Sequence, residues 1–228
     1  GLSSAPATVS GIENIVYNNS SFYHPTIDTN NIINYTITIN NTANPLIAPS
    51  TATINNLGAN NTLNLGTNLT GFSTINVVPD ASKVTINAGD AEVTVNTGAS
   101  VSDLKINGDT SSSMSVNLGS SNSNTTINQG SGAGAINVAN NSATGTKITT
   151  GYTGTAMQTV SITDVAADTS LTIARTGTTI APTMVIVDGT TATTDKISLS
   201  AKGIITLETA SAQQVDQLDL SGNGGDVN

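Results

Sequence analysis

Residues 83–109, KVTINAGDAEVTVNTGASVSDLKINGD, repeat one phrase three times. The copies are Val84-Thr85-Ile86-Asn87, Val93-Thr94-Val95-Asn96 and Leu104-Lys105-Ile106-Asn107, each followed soon by a glycine. Apolar and polar residues alternating in period two mark a strand with one face buried, and Val, Ile and Thr fit a pleated surface. Asparagine and glycine then close each copy, because both tolerate the positive φ of tight turns. The stretch therefore predicts short strands separated by turns.

The phrase continues on both sides. YTITIN, TATINN, TLNLG and STINVV precede it, and MSVNLG, TTINQG and AINVAN follow it. The asparagines that end successive strands are Asn87, Asn96, Asn107, Asn117, Asn128 and Asn137. Alternate members, Asn87–Asn107–Asn128 and Asn96–Asn117–Asn137, recur about every 20 or 21 residues, the period of a solenoid coil with two main strands. The expected fold is all-β, a β-solenoid or parallel β-helix over residues 50–141. Its inward set is Val84, Ile86, Val93, Val95, Leu104, Ile106, Met114, Val116, Ile127, Ile136 and Val138, with Thr85, Thr94 and Lys105 facing water. Stacked asparagines would bond to their copies one strand spacing away, about 4.8 Å. Short strands at this spacing also suit tandem β-sandwiches, the alternative architecture.

Composition divides the chain. Asparagine is common up to Asn141 and absent until Asn223. Residues 1–48 hold most of the aromatics (Tyr17, Phe22, Tyr23, Tyr35) and are expected to form an irregular cap or linker, since a solenoid end needs covering. Residues 49–148 are the Asn-rich solenoid. Residues 149–228, with strands such as MQTVSITDV and PTMVIVDG, form a second β-rich module or a less regular continuation. Helix signals are poor; TASAQQVDQL, residues 209–218, is the best candidate for a turn or two. The opening lacks a basic segment followed by an apolar one, and the end falls inside an apparent motif, so the chain reads as a piece of something longer.

The bulk numbers exclude several functions. A net charge of −9 with six basic residues in 228 leaves no patch for nucleic-acid phosphates. With no cysteine and one histidine, disulfide scaffolds and the usual zinc sites are ruled out. No apolar run reaches the ~20 residues of a membrane span. With 3% aromatic residues and no tryptophan, the chain lacks the walls of an enzyme cleft, and no catalytic residue is assigned. The single His24, in SFYHPT, reads as a loop residue. The acids Asp80, Asp90, Glu92, Asp103 and Asp109 read as turn residues rather than facing carboxylates of a glycosidase. GSGAGAIN, residues 130–137, lacks the lysine and helix of a phosphate cradle.

Calcium is the one ligand the residues invite. Hard cations take oxygens from Asp, Asn and turn carbonyls, and Gly222-Asn223-Gly224-Gly225-Asp226 fits G-x-G-x-D, part of the nonapeptide Ca²⁺-binding repeat. Gly222, Gly224 and Asp226 are the candidate metal residues.

With VSGIENI near one end and LDLSGNGGDVN at the other, this acidic, cysteine-free, Thr/Ser/Asn/Gly-rich chain resembles the S-layer proteins of Gram-negative bacteria. Those are secreted surface proteins with calcium-binding nonapeptide repeats, and Gly11 to Asn14 matches a segment that introduces β-rich parts in them. The likeness covers composition throughout but specific motifs over only about a dozen residues, and multiple nonapeptide copies are absent. It implies an extracellular structural subunit that assembles with copies of itself into a two-dimensional lattice, with Ca²⁺ as cofactor. Anchoring to lipopolysaccharide would fall to a part of the parent not in this chain. The alternatives are the stalk of a surface adhesin, and then a polysaccharide-active β-helix enzyme or a phage tail fibre.

Overall fold

The computed structural model describes residues 14–19, 26–29, 32–41, 51–66, 69, 71–109, 113–120, 123–131, 134–140, 146–153, 158–165, 168–175, 183–189, 196–201, 205–209 and 217–219. Among them there is no helix, and so none long and apolar enough to cross a membrane. The strands begin with β1 (Asn14–Asn19), β2 (Thr26–Asp28), β3 (Thr36–Asn41), β4 (Thr53–Leu57) and β5 (Asn61–Leu65). They continue with β6 (Ser73–Val77), β7 (Ala81–Gly89), β8 (Val93–Asn96), β9 (Val101–Gly108) and β10 (Met114–Leu118). Next come β11 (Asn124–Asn128), β12 (Ile136–Asn140), β13 (Thr146–Tyr152), β14 (Gln158–Val165) and β15 (Asp168–Arg175). The last are β16 (Thr183–Gly189), β17 (Lys196–Ala201), β18 (Ile205–Thr209) and β19 (Gln217–Asp219).

Odd-numbered strands form one 10-stranded sheet and even-numbered strands a 9-stranded sheet, each in chain order. Parallel pairing joins every neighbouring pair, for example β7 to β9 through Ile86↔Ile106 and β8 to β10 through Val95↔Val116. The chain therefore winds from sheet to sheet, two strands per coil, and each coil lies on the one before. This is a β-solenoid. Ten strands at the usual interstrand spacing make a stack roughly 43 Å long.

The apolar sets of the two sheets meet between them. All eleven residues of the expected inward set are buried, from Val84 at 0% exposure to Val138 at 1%. Thr85 and Thr94 are half-buried on the outer faces, and Lys105 is exposed. Along the axis the interior is organised in columns. Sheet one stacks Ile37, Leu63, Ile86, Ile106, Ile127 and Thr150; sheet two stacks Ile27, Ile54, Ile75, Val95, Val116, Val138 and Ile162. Similar aliphatic side chains stack one strand spacing apart, which is how small aliphatics fill a narrow interior.

Turns hold the coils at a fixed pitch. Asn34, Asn56, Asn60 and Asp80 adopt positive φ, at 64°, 59°, 59° and 63°. Of these, Asn60 and Asp80 are the last residues before β5 and β7. The strand-closing asparagines of the repeat are not among them, contrary to the expectation that they serve the turns. Between β10 and β11, Gly119 packs so closely on the preceding coil that a Cβ would sit 1.9 Å from the carbonyl oxygen of Gly98.

Three expectations meet the described strands. Strands β1 to β3 lie within residues 1–48, where an irregular cap was expected, and they pair into the same two sheets. Strand β13 crosses the boundary drawn at residues 148 and 149, and β14 to β19 extend both sheets beyond it, as the continuation reading has it. In the segment read as a helix candidate, Gln217 and Leu218 belong to β19 and Thr209 to β18.

Candidate functional site

Among the described residues, the features with chemical regularity are the two outer faces. On sheet one the outward positions form parallel rows. One row runs Thr36, Thr62, Thr85, Lys105, Thr126, Thr149, Thr172; the next runs Thr38, Asn64, Asn87, Asn107, Asn128, Gly151. Sheet two repeats the arrangement with Thr53, Thr74, Thr94 and Ser115 beside Asn55, Asn76, Asn96 and Asn117. The strand-closing asparagines therefore sit within strands, pointing outward.

Their side chains form two continuous ladders. On sheet one, Asn128 Nδ2 donates to Asn107 Oδ1 (2.9 Å), Asn107 to Asn87 (2.8 Å), Asn87 to Asn64 (2.7 Å), and Asn64 to Thr38 Oγ1 (3.3 Å). On sheet two, Asn117 donates to Asn96 (2.6 Å), Asn96 to Asn76 (2.8 Å) and Asn76 to Asn55 (2.7 Å). Asparagine partners in these ladders are 20 to 23 residues apart. Every amide donates toward the N-terminal coil. A carboxamide carries donor and acceptor on opposite atoms, so one strand spacing lets each group satisfy both neighbours, and each bond contributes about 1 kcal/mol net. A shorter ladder follows the turns, with Asn60 donating to Asn34 (3.0 Å) and Ser82 to Asn60 (3.2 Å).

The sheet-two series ends one rung early. Asn137, expected to follow Asn117, pairs with Ser115 in register, and Ala139 lies opposite Asn117. The coil between β10 and β12 is longer than the one before it, so equal spacing in sequence no longer means equal position. On sheet one Asn128 ends over Gly151, where a Cβ would lie 2.5 Å from the Asn128 Oδ1.

Charge is sparse on these faces. Lys83, Asp103, Asn124 and Lys147 form a row on sheet one. Asp103, Asn124, Thr125, Thr126, Lys147 and Thr149 line a shallow depression of about 230 Å³. Asp103, the third residue of β9, is within a strand and not at a turn as expected; Asp80, Asp90 and Asp109 lie exposed in turns or bends. Glu92, between β7 and β8, is half-buried, and its Oε2 is enclosed without a hydrogen-bond partner. No cluster of three His, Asp or Glu side chains able to hold a metal occurs among the described residues. His24 and the calcium candidates Gly222, Gly224 and Asp226 lie outside the described residues.

The interior also carries polar groups that the sequence reading missed. Thr125 and Thr150 point inward at 1% and 0% exposure, and neither hydroxyl has a hydrogen-bond partner. Gln158 Nε2 donates to Gln129 Oε1 at 2.7 Å, both residues being fully buried, while Gln158 Oε1 is unpaired. Searches against protein-family models, curated proteins and solved structures returned no match.

Proposed function

We propose that this chain is a structural subunit of a bacterial surface layer, built to pack against copies of itself outside the cell. One observation carries the reading: the amide ladders and threonine rows make both outer faces regular, polar and nearly uncharged over many coils. Such faces resist disorder at their own surface and carry little like charge to oppose close approach. Their amides are already paired along the axis, which suits contact through hydroxyls, backbone edges and bridging cations rather than capture of a small ligand. The S-layer resemblance in composition and in Gly222-Asn223-Gly224-Gly225-Asp226 adds calcium as the bridging ion.

The test is negative-stain microscopy of concentrated protein in millimolar Ca²⁺ and in chelator. Two-dimensional sheets that need calcium are expected, and Asp226→Ala should raise the calcium concentration at which they form. Separate rods at every concentration would discard the lattice in favour of an adhesin stalk.

A further inference from the structure

We infer that Asn107-Gly108 is a latent deamidation site, held closed by the amide ladder of sheet one. The chemistry begins with the dipeptide. In Asn-Gly the following residue has no side chain, so its backbone nitrogen can reach the asparagine Cγ. Attack forms the Cγ–N bond, expels the side-chain nitrogen as ammonia and closes a succinimide; water then opens the ring to aspartate or isoaspartate. No other reagent is needed.

The folded solenoid opposes each part of that step. Asn107 Nδ2 donates to Asn87 Oδ1 at 2.8 Å, and Asn107 Oδ1 accepts from Asn128 Nδ2 at 2.9 Å. The carboxamide is held from both sides along the axis, pointing away from the strand. The backbone is held as well: Asn107 and Gly108 close β9, and the Asp109 N–H donates to Gly89 O at 2.9 Å just beyond them. Ring closure requires the side chain to leave its neighbours and the peptide to leave the extended conformation, so it proceeds only through local opening.

The product cannot resume the same place. A carboxylate at 107 has no donor for Asn87 Oδ1 and puts oxygen against oxygen at 2.8 Å spacing, while isoaspartate also adds a methylene to the strand. An opening event long enough for reaction therefore leaves a permanent break midway along the ladder.

The experiment is peptide mapping by mass spectrometry after incubation at mildly alkaline pH. It compares folded protein, the same protein in urea, and the synthetic peptide Lys105–Thr110. Deamidation at Asn107 should match the peptide in urea and be at least roughly tenfold slower in the folded chain, a factor that a local opening free energy of about 1.4 kcal/mol supplies. Asn87→Ala, folded by circular dichroism, should deamidate severalfold faster than the parent. Asn87→Thr should stay near the parent rate, because Thr38 Oγ1 already serves as acceptor for Asn64 in this ladder. Should Asn87→Ala fail to fold, Asn128→Ala tests the other side of the same amide. Equal rates in folded and unfolded protein, or a folded Asn87→Ala or Asn128→Ala at the parental rate, would overturn the inference.

Discussion

The coils from β4 to β10 and those from β11 to β14 share a backbone but solve the interior differently. In the first group the buried polar residues are Asn61 and Ser73, and both are satisfied. Asn61 Nδ2 donates to Ile32 O at 2.6 Å, Asn61 Oδ1 accepts from Tyr35 N at 2.9 Å, and Ser73 Oγ accepts from Ala52 N at 3.1 Å. In the second group Thr125, Gln129, Asn140, Thr146, Thr150 and Gln158 are all buried. Both outer amide ladders stop there too, at Ala139 and Gly151. Parallel pairing continues regardless. Backbone hydrogen bonds set the architecture, whereas the aliphatic columns and amide ladders set how firmly each coil is held.

The comparison breaks first at Ile86, which is fully buried among Leu63 and Ile106. Ile86→Asp should unfold the central coils, since an unpaired buried carboxylate costs several kcal/mol. A thermal melt like the parent's would refute the assignment of inward faces. Next comes one column read in two coils, Leu104 and Thr125 being register partners. Leu104→Ala should cost about 3 kcal/mol by urea denaturation, and Thr125→Ala less than about 1 kcal/mol, because the hydroxyl it removes was unsatisfied. Equal losses would mean the two coils are packed alike.

A smaller effect separates ladder asparagines from those beside it. Asn107→Ala should lose about 1–2 kcal/mol, while Asn137→Ala, exposed and opposite Ser115, should stay within about 0.5 kcal/mol. Opposite in sign, Thr150→Val should stabilise the protein by about 1 kcal/mol by replacing an unpaired hydroxyl with a methyl. Calorimetry would show the melting temperature rising by roughly 2–4 °C for a chain of this size. A fall would reveal that the Thr150 hydroxyl is satisfied in solution.

Strand existence and facing were legible wherever a buried column demanded strict alternation, as at Val84-Thr85-Ile86 and Val93-Thr94-Val95. Coil period was legible from Asn87, Asn107 and Asn128 because their ladder requires equal position in successive coils. It failed at Asn137, where a longer connection moves the chain past the rung. It also did not reach β14 to β19, because no asparagine marks those registers, whereas β1 and β3 carry the rung Asn18–Asn40 two residues beyond the main row. The inward threonines were hidden for a different reason. In Asn124-Thr125-Thr126-Ile127 two adjacent threonines face opposite sides, and their chemistry does not say which. As to the candidate site, the row of asparagines was visible in the sequence, but its place on the strands instead of the turns was not. The difference is one of φ: Asn34 and Asn60 took positive-φ positions at a bend and a turn, and Asn56 one at an irregularity within β4.

Because rungs interlock by position and not by identity of the coil, the length of this protein is a quantity that can change in whole steps. Excising residues 88–107 would bring Asn87 against Asn128 and Asn76 against Asn117, leaving every surviving rung with a like neighbour. The molecule would simply be shorter by about 4.8 Å. Duplication does the reverse. A gene encoding such a chain can lengthen or trim its product by recombination between near-identical segments, with a molecular ruler kept true at each event.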